Sequence, residues 1–319
     1  MFVCVSLNPA MDKRVRVVQF HRGQVNRATG VMQAPGGKAA HVAMVLRTLG
    51  ADPLWIGFAG GVTGSELVEG LKALSIRVEA VATNSATRVN LEILEDEGAV
   101  TELLEPGETV SVKELQSLEN VYRAALPKSR RNTTVILSGS LPPGVPQDYY
   151  ATLVEIGHES GCRVFVDTSG EPMKLALKAR PDFVKPNQEE AERLSGSVID
   201  GPGSAGTVLR RILHEGARAG AISLGSRGLL WQRAEEEKTL FARVPEIAGR
   251  STVGSGDATL AGFAFAEKQG FESNEVLRLA AACGAANCLA EGPGRARAAD
   301  IARLKQEVRV ATLQYSEKA

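Results

Sequence analysis

Four consecutive residues, Gly254-Ser255-Gly256-Asp257, have the types and the spacing to carry out chemistry. They follow a turn-like stretch at 249–253 and precede a small-residue helical pattern at 258–263. A glycine-rich loop at a helix N-terminus turns backbone N–H groups toward one point, where the helix dipole favours negative charge. Asp257 would repel a permanently bound anion, but it suits an anion that appears while the carboxylate accepts a proton. The loop therefore predicts phosphoryl transfer to a hydroxyl.

The charge and composition of the chain exclude several other classes of protein. The 319 residues include 37 Lys and Arg against 37 Asp and Glu, so no overall field attracts nucleic acid or an anionic membrane. The N-terminus predicts a first strand instead of a signal peptide, and no apolar run is long enough to cross a bilayer. Cys4, Cys162, Cys283 and Cys288 lack zinc-ligand or CxxC spacing, which indicates reduced thiols in a cytoplasmic protein.

Short β-branched runs alternate with longer helical patterns along most of the chain. The runs predict strands at 2–7, 54–59, 133–137, 163–167 and 219–224. The longer patterns predict helices at 39–49, 64–74, 147–160, 188–194 and 206–216. This order predicts an α/β fold with a mostly parallel sheet covered on both faces. We interpret the charged tail at 303–319 as a solvated terminal helix.

Two segments, 14–32 and 87–102, alternate like inserted antiparallel strands. We therefore assign 13–32 and 87–103 to a small β-sheet, and 1–12, 33–86 and 104–319 to the main domain. A small sheet over a binding cleft would act as a lid, and its exposed face could pair with a second subunit. The alternative is an edge hairpin with no such role.

Polar loops follow several predicted strands, and ligands of open parallel sheets lie at that edge. Asp12 could accept hydrogen bonds from two sugar hydroxyls, or it could cap a turn. Gly36 and Gly37, followed by Lys38, would let a ligand approach the backbone before the helix that begins near Ala39. This pair lacks the G-x-G-x-x-G spacing of dinucleotide-binding proteins, so a nicotinamide oxidoreductase is disfavoured.

Arg88 and Ser138 lie in two further loops of this kind. An arginine fork on a lid strand suits a phosphate already present on the substrate, although a solvated edge arginine is the alternative. Ser138 follows a strand directly, and Gly139 beside it permits close approach of a ligand. The loop at 167–170 also follows a strand and could be an ordinary turn.

The segment from Lys185 to Glu190 has two interpretations. Asn187 can cap the following helix, with Glu190 on its first turn. Alternatively, Asn187 and Glu190 orient Mg²⁺ through water while Lys185 neutralises a nucleotide phosphate. The glycine-rich strand end at 223–228 would suit the base or the phosphates of a nucleotide. Neither a P-loop nor a protein-kinase motif is present in the sequence.

Together these motifs resemble the PfkB (ribokinase-like) carbohydrate kinases over nearly the whole chain, and most of all their 1-phosphofructokinase and tagatose-6-phosphate kinase branch. The resemblance rests on 7–12, 35–38, 87–90, 138–142, 167–170, 185–190, 223–225 and 251–257. It implies a three-layer α/β/α fold with a small antiparallel β-sheet lid, ATP and Mg²⁺ as cofactors, and a homodimer formed through the lid.

The resemblance also implies roles for individual residues. Asp257 matches the catalytic base, and the N–H groups of Gly254, Ser255 and Gly256 match an anion hole for the transferring phosphoryl group. We expect sugar-phosphate contacts from Asp12, Gly36, Gly37, Lys38, His41, Arg88, Asn90 and Ser138. We expect ATP beside Lys185, Asn187, Ser223, Gly225, Gly228, Thr252 and Gly254. Asn187 and Glu190 match a magnesium motif that acts through water.

His41 departs from the family pattern, which has an asparagine that hydrogen-bonds a sugar hydroxyl. A histidine has a different shape and can carry charge, so we expect an altered sugar preference with activity retained. Fructose 1-phosphate is the first expected substrate, tagatose 6-phosphate or fructose 6-phosphate the second, and a nucleoside or unphosphorylated sugar the third. A non-catalytic sugar-phosphate sensor on the same fold is the rival from another class.

Overall fold

The computed structural model describes residues 1–127, 133–249 and 251–313. Its strands are β1 (Phe2–Ser6), β2 (Ala10–Val17), β3 (Gly30–Gly36), β4 (Pro53–Ala59), β5 (Arg77–Ala82), β6 (Arg88–Glu95), β7 (Val100–Leu104), β8 (Thr134–Ser138), β9 (Arg163–Asp167), β10 (Phe183–Val184), β11 (Ala219–Ser223), β12 (Leu229–Arg233), β13 (Leu240–Arg243) and β14 (Arg309–Thr312). Its helices are α1 (Lys38–Thr48), α2 (Gly61–Ala73), α3 (Val112–Ala125), α4 (Tyr149–Glu159), α5 (Glu171–Lys178), α6 (Gln188–Ser195), α7 (Pro202–His214), α8 (Ser255–Gln269), α9 (Ser273–Leu289) and α10 (Ala298–Glu307).

The large sheet has the order β14-β13-β12-β11-β10-β9-β8-β1-β4-β5. Its pairs are parallel from β5 across to β11 and antiparallel from β11 to β14. One core cluster joins one face of this sheet to α1, α2, α8, α9 and α10, and a second joins the other face to α3, α4, α5, α6 and α7. This arrangement confirms the predicted three-layer α/β/α fold with a mostly parallel sheet.

Aromatic rings in contact join one of these helix layers to the middle of the sheet. Phe183 lies 4.8 Å from Phe165 and 4.7 Å from Phe263, centroid to centroid. Phe263 belongs to α8, so this contact fixes the depth at which α8 packs on the sheet. The same helix begins at the glycine-rich loop, which is thereby held at the edge formed by the carboxyl ends of the strands.

The small sheet has the order β3-β2-β6-β7. The β2–β3 and β6–β7 pairs are antiparallel as predicted, whereas β2 and β6 are parallel. Strand β2 begins at Ala10 and β3 ends at Gly36, so the predicted domain boundaries at 12/13 and 32/33 fall inside strands of the small sheet. Only residues 7–9 separate β1 from β2, and only Gly37 separates β3 from α1.

The prediction of a terminal helix over 303–319 is wrong for part of its length. Helix α10 ends at Glu307, and β14 then pairs antiparallel with β13. The segment Arg309-Val310-Ala311-Thr312 has β-branched residues at alternate positions, which suits a half-buried edge strand. The remaining residues of that prediction, 314–319, lie outside the described residues.

The described residues contain no helix with the length and apolar character to span a bilayer. The thiols of Cys4, Cys162, Cys283 and Cys288 are free.

Candidate active site

The glycine-rich loop forms the start of α8, and its geometry requires glycine at position 254. Gly254 is the N-cap residue, with φ 76° and ψ −2° in the left-handed region. A Cβ at this position would lie 2.7 Å from the Cβ of Pro293, so both conformation and space exclude a larger residue. The Ser255 N–H donates to the Thr252 carbonyl at 3.1 Å. That amide is therefore already used, which departs from the expected anion hole of three N–H groups.

Helix α9 supports this loop through a buried asparagine that the sequence analysis did not identify. The Asn287 amide donates to the Val253 carbonyl at 2.8 Å, and its oxygen accepts from the Gly294 N–H at 2.9 Å. The hydroxyl of Ser255 lies 3.1 Å from the Cys288 sulfur. An asparagine within the otherwise small and apolar second half of α9, residues 279–289, was the available signal, because a buried amide needs partners.

Asp257 lies on the first turn of α8 and is buried beside His41. Its Oδ2 is 2.8 Å from Nδ1 of His41, and Nε2 of the same ring is 2.7 Å from Oδ2 of Asp12. The Asn90 amide donates to the other oxygen of Asp12 at 3.1 Å. The structure thus brings together four residues that the sequence analysis had placed on separate motifs.

The histidine between these carboxylates carries a strongly shifted pKa. Burial disfavours its charged form, but the charge of Asp12 and the hydrogen bonds to Asp12 and Asp257 outweigh this effect and raise the pKa of His41 to about 10. His41 is therefore an imidazolium at neutral pH. Asparagine, the residue expected there from the family, could not supply this charge.

Gly36 packs directly against Asp12, and Gly37 opens α1. A Cβ at Gly36 would collide with the Asp12 carboxylate. Glycine at this position therefore lets β3 pass close to the acid on β2. Packing against Asp12 therefore explains the glycine at position 36, which was predicted only to contact the substrate.

Lysine and carboxylate side chains surround the loop on its other side. Lys38 Nζ lies 3.5 Å from Oδ1 of Asp167 and 3.7 Å from Oε1 of Glu190. Lys185 Nζ lies 3.9 Å from Oδ2 of Asp167. A Cβ at Gly256 would be only 3.2 Å from the same Nζ of Lys185. The two ammonium groups therefore flank the start of α8, where a phosphate would be attracted by both.

Desolvation lowers the pKa of Lys38, but the charges of Asp167, Glu190 and Asp257 outweigh it and raise the pKa above its ordinary value. The group stays cationic throughout the neutral range. Lys38 thus lies beside the residues expected on the metal and nucleotide side, although the sequence analysis grouped it with the sugar contacts.

Asn187 and Glu190 form a complete capping box at the start of α6. The Asn187 side chain accepts from the Glu190 N–H at 2.8 Å, and Glu190 Oε2 accepts from the Asn187 N–H at 2.8 Å. The interpretation of this motif as a helix cap is therefore confirmed. Glu190 Oε1, the oxygen near Lys38, is the one turned toward the site.

Arg88 contacts the backbone beside the first strand. Its Nη2 donates to the Asn8 carbonyl at 3.0 Å and its Nη1 to the Glu105 carbonyl at 2.6 Å. Its Nε is buried without a hydrogen-bond partner. The fork therefore lies at the junction of the small and large sheets.

Several buried polar atoms of the site have no hydrogen-bond partner. Among the described residues they include Arg88 Nε, Asn90 Oδ1, Ser138 Oγ and Asp167 Oδ1. Ser138 and Asp167 are paired neighbours at the ends of β8 and β9. Buried groups of this kind are normally satisfied, so their clustering at the expected edge of the sheet indicates a ligand site.

The residues expected beside ATP lie at the adjoining strand ends. Ser223 forms an isolated parallel bridge with Asn187, Gly225 begins a short 3₁₀ turn with open space where a Cβ would be, and Thr252 is exposed. Gly228 packs against the Ala242 carbonyl, which gives it a structural reason of its own.

An ion pair of the small sheet was missed entirely from the sequence. Arg14 on β2 lies 2.7 Å from Glu92 on β6, and both side chains are buried. Arg14 also donates through Nη1 to the Glu291 carbonyl, in the loop that follows α9. Sequence patterns gave no signal for it, because β2 and β6 are distant in the chain and pair only in the folded sheet.

The α/β/α fold, with a carboxylate on the first turn of α8 between two ammonium groups, fits a kinase of ribokinase-like fold. The chain matches the model of the pfkB family carbohydrate kinases over residues 3–299. It belongs to that family.

Solved structures give the same fold. Escherichia coli phosphofructokinase-2 in its tetrameric inhibited form is 27% identical, with a TM-score of 0.87 and coverage of 96% of this chain and 98% of that one. A Thermotoga maritima protein described as a possible 1-phosphofructokinase is 24% identical, with a TM-score of 0.87 and coverage of 98% and 99%. Arabidopsis thaliana ribokinase, complexed with ribose and ATP, is 21% identical, with a TM-score of 0.75 and coverage of 96% and 98%.

Proposed function

We propose that this PfkB-family sugar kinase transfers the γ-phosphoryl group of ATP to a phosphorylated ketose, with fructose 1-phosphate as the first candidate and fructose 1,6-bisphosphate as its product. The observation that carries the proposal is the buried Asp257 carboxylate on the first turn of α8, directly after the glycine loop. A base at this place can take the proton of a hydroxyl as it attacks the phosphorus held by the loop.

The phosphoryl group is transferred in a single displacement. The sugar hydroxyl gives its proton to Asp257 while its oxygen forms a bond to the γ-phosphorus, and the bond from that phosphorus to the leaving oxygen of ADP breaks. The amides of Gly254 and Gly256 and the ammonium groups of Lys38 and Lys185 stabilise the charge on the phosphoryl oxygens. Closure of the small sheet over the sugar excludes water and limits hydrolysis of ATP.

The donor set near Lys38 suits Mg²⁺, which is commonly bound through one or two carboxylates together with waters and substrate phosphates. Asp167 Oδ1 lacks a hydrogen-bond partner, and Lys38 lies near both this oxygen and Glu190 Oε1. Asp167 and Glu190 would hold the ion, with Asn187 acting through water. When bound, the ion would neutralise charge on the phosphates of ATP.

Recognition of the sugar falls to the small sheet and the strand ends beside it. Asp12 and Asn90 meet the sugar hydroxyls together with Ser138, and Arg88 binds the phosphate that the substrate already carries. The unpartnered atoms of Arg88, Asn90 and Ser138 support this assignment. Ser223, Gly225 and Thr252 lie where the nucleotide would extend from the loop.

Tagatose 6-phosphate and fructose 6-phosphate are the second candidates. Arg88 responds to the presence of a phosphate more than to its position on the sugar. The 26% identical Escherichia coli phosphofructokinase-2 has been seen in complex with fructose-6-phosphate, which favours that hexose over an unphosphorylated one. Both ring nitrogens of His41 are bonded to Asp12 and Asp257, so His41 acts on the choice of sugar through these two carboxylates, and His41→Asn is expected to change the ranking of the sugars by kcat/KM.

The small sheet also serves as the interface of a homodimer in the cytoplasm. Its two outer strands, β3 and β7, expose Val31, Met32, Leu103 and Leu104. Exposed apolar side chains on both edge strands of a small sheet support cover by a partner.

Asp257→Asn tests the base directly. Turnover on the best phosphorylated ketose, measured by coupled detection of ADP, is expected to fall by about 10³-fold because the amide cannot accept the proton. Binding of the sugar phosphate, measured by calorimetry, is expected to stay within a few-fold of the wild type. One screen of phosphorylated ketoses identifies the substrate for this assay.

Asp300→Asn is the matched control, since Asp300 is the acidic residue in the first turn of α10, far from the site in sequence and paired with Arg297. It is expected to leave turnover unchanged. Full turnover in Asp257→Asn would remove the base assignment. Absence of turnover by the wild type on every sugar tried would favour the sensor.

A further inference from the structure

His41 joins three separate elements of the fold. The ring belongs to α1, Asp12 to the small-sheet strand β2, and Asp257 to α8. Both ring nitrogens lie within hydrogen-bond distance of a carboxylate oxygen, at 2.7 and 2.8 Å. An ionised carboxylate can only accept, so with Asp12 and Asp257 both ionised each ring nitrogen carries a proton and the ring is a cation between two anions.

Other charged groups face this cluster from every element around it. Lys38 on the same helix interacts with Asp257, and Arg88 on β6 interacts with Asp12. Glu102 on β7 interacts with Asp12 and His41, and the Arg14–Glu92 pair lies on the adjacent strands. The loop after α9 packs on the other side, where Gly294 meets the backbone of His41, and this loop carries Glu291 and Arg295. Within the described part of the chain, the hydrogen bonds of the ring go to the two carboxylates.

We propose that His41 is a positioning residue that holds the base Asp257 and the lid carboxylate Asp12 in one ionised arrangement, so that the base is correctly set only when the lid strand is in place. This inference rests on the proposed role of Asp257 as base. The ring bonds to one oxygen of Asp257, so the other oxygen can face a sugar hydroxyl. Displacement of β2 would withdraw Asp12 and leave the ring with a single anion.

The charge on the ring is essential to this role. Without a cation, two buried carboxylates would face each other, and like charges at short range favour protonation of one of them. A protonated Asp257 cannot act as a base, so activity would be lost first at low pH. Asparagine is neutral and shorter, and leucine provides no donor at all. The two substitutions therefore give a graded series.

The protonation state of the ring can be measured without any assay of turnover. In the substrate-free enzyme labelled with ¹⁵N-histidine, the four histidines give separate signals, and His41→Asn identifies the one from position 41. Both nitrogens of His41 are expected to remain protonated across the neutral range, up to near its pKa of about 10. Asp12→Asn is expected to move this titration to lower pH. Titration of wild-type His41 near 6.5, its ordinary value, would overturn the proposal.

The kinetic test compares the pH dependence of kcat/KM in the wild type, His41→Asn and His41→Leu. The acid limb is expected to move to higher pH in that order, by about one unit or more for leucine. At pH values below the acid limb of both enzymes, a one-unit shift lowers kcat/KM of the leucine variant about tenfold relative to the wild type, and the loss should disappear as the pH rises above both limbs. Three profiles of the same shape, differing only in height, would contradict the proposal.

His158→Asn provides the matched control, because His158 lies 3.0 Å from Asp182 in a similar pair outside the site. It is expected to leave the profile unchanged, and thermal unfolding verifies that each variant is folded. If the wild type turns over no sugar, the proposed function fails, while the histidine titration still decides the inference about His41.

Discussion

The imidazole at position 41 links folding to pH as well as to catalysis. The pKa of His41 is about 10 in the folded protein against an ordinary value of 6.5. The folded state therefore binds this proton more tightly than the unfolded state does. The resulting stabilisation is fully present below pH 6.5 and is lost as the pH rises through about 10.

Denaturant unfolding near pH 6.5 and near pH 10 measures this contribution. The wild type is expected to lose more stability than His41→Asn over this interval, by an amount on the order of a few kcal/mol. His158→Asn, which keeps the buried cluster intact, is expected to follow the wild type. Equal loss of stability in the wild type and in His41→Asn would show that the ring does not carry the buried charge.

Local motifs were predictable from the sequence. The place of Asp257 at the start of a helix was predictable because its loop and helix are contiguous, and the capping box of Asn187 and Glu190 because it spans only four residues. The contacts of His41 could not be predicted, since they depend on how three distant elements pack. The contacts of Asn287 and Arg14 were not predicted for the same reason, because their partners lie on other elements.

Among the elements, the start of α8 requires glycine at position 254, and no other residue type fits there. Gly254→Ala would place a Cβ against Pro293 and force alanine into a left-handed conformation. The shifted loop is expected to lower kcat by about 10²-fold, as small displacements in an active site do. The added strain is expected to cost about 1–2 kcal/mol of stability. Steady-state kinetics and denaturant unfolding measure the two effects.

Gly270 supplies the control at the other end of the same helix. It is also left-handed, with φ 72°, but a Cβ there would meet only open space. Gly270→Ala should therefore share the cost in stability and keep the wild-type kcat. Similar kcat values in the two variants would show that the conformation of the loop does not govern catalysis.

Elements with a clear hydrophobic period were predictable, because strands and helices have different periods, whereas β5, β10, β12, β13, α3 and α5 were not predicted. The errors have physical causes. Strand β14 follows the charged helix α10 with one residue between them. The charged residues on both sides of this point obscured the change from the helical to the strand period. The parallel pairing of β2 with β6 is a long-range contact that alternation within each segment does not specify.

For the whole molecule, the small sheet sets the expected state of assembly. Leu103 and Leu104 are adjacent on the outer strand β7, each more than half exposed, at 56% and 61%. Replacing both by glutamate would bury charge in the proposed interface, so the dimer is expected to dissociate. Light scattering after size exclusion gives the mass of each variant.

Val198→Glu is the matched control, because Val198 is 82% exposed and lies between α6 and α7, away from the small sheet. It is expected to leave the mass unchanged. If the Leu103/Leu104 variant keeps the mass of the wild type, β7 does not form the interface.

The short connections of the small sheet limit how it can move. Three residues join β1 to β2, and one joins β3 to α1. Connections of this length leave few backbone torsions to vary. The small sheet can therefore tilt about these connections but cannot move far as a rigid unit. If the sheet closes over a sugar as proposed, closure restricts little extra chain, and most of the interaction free energy of the sugar remains available as affinity.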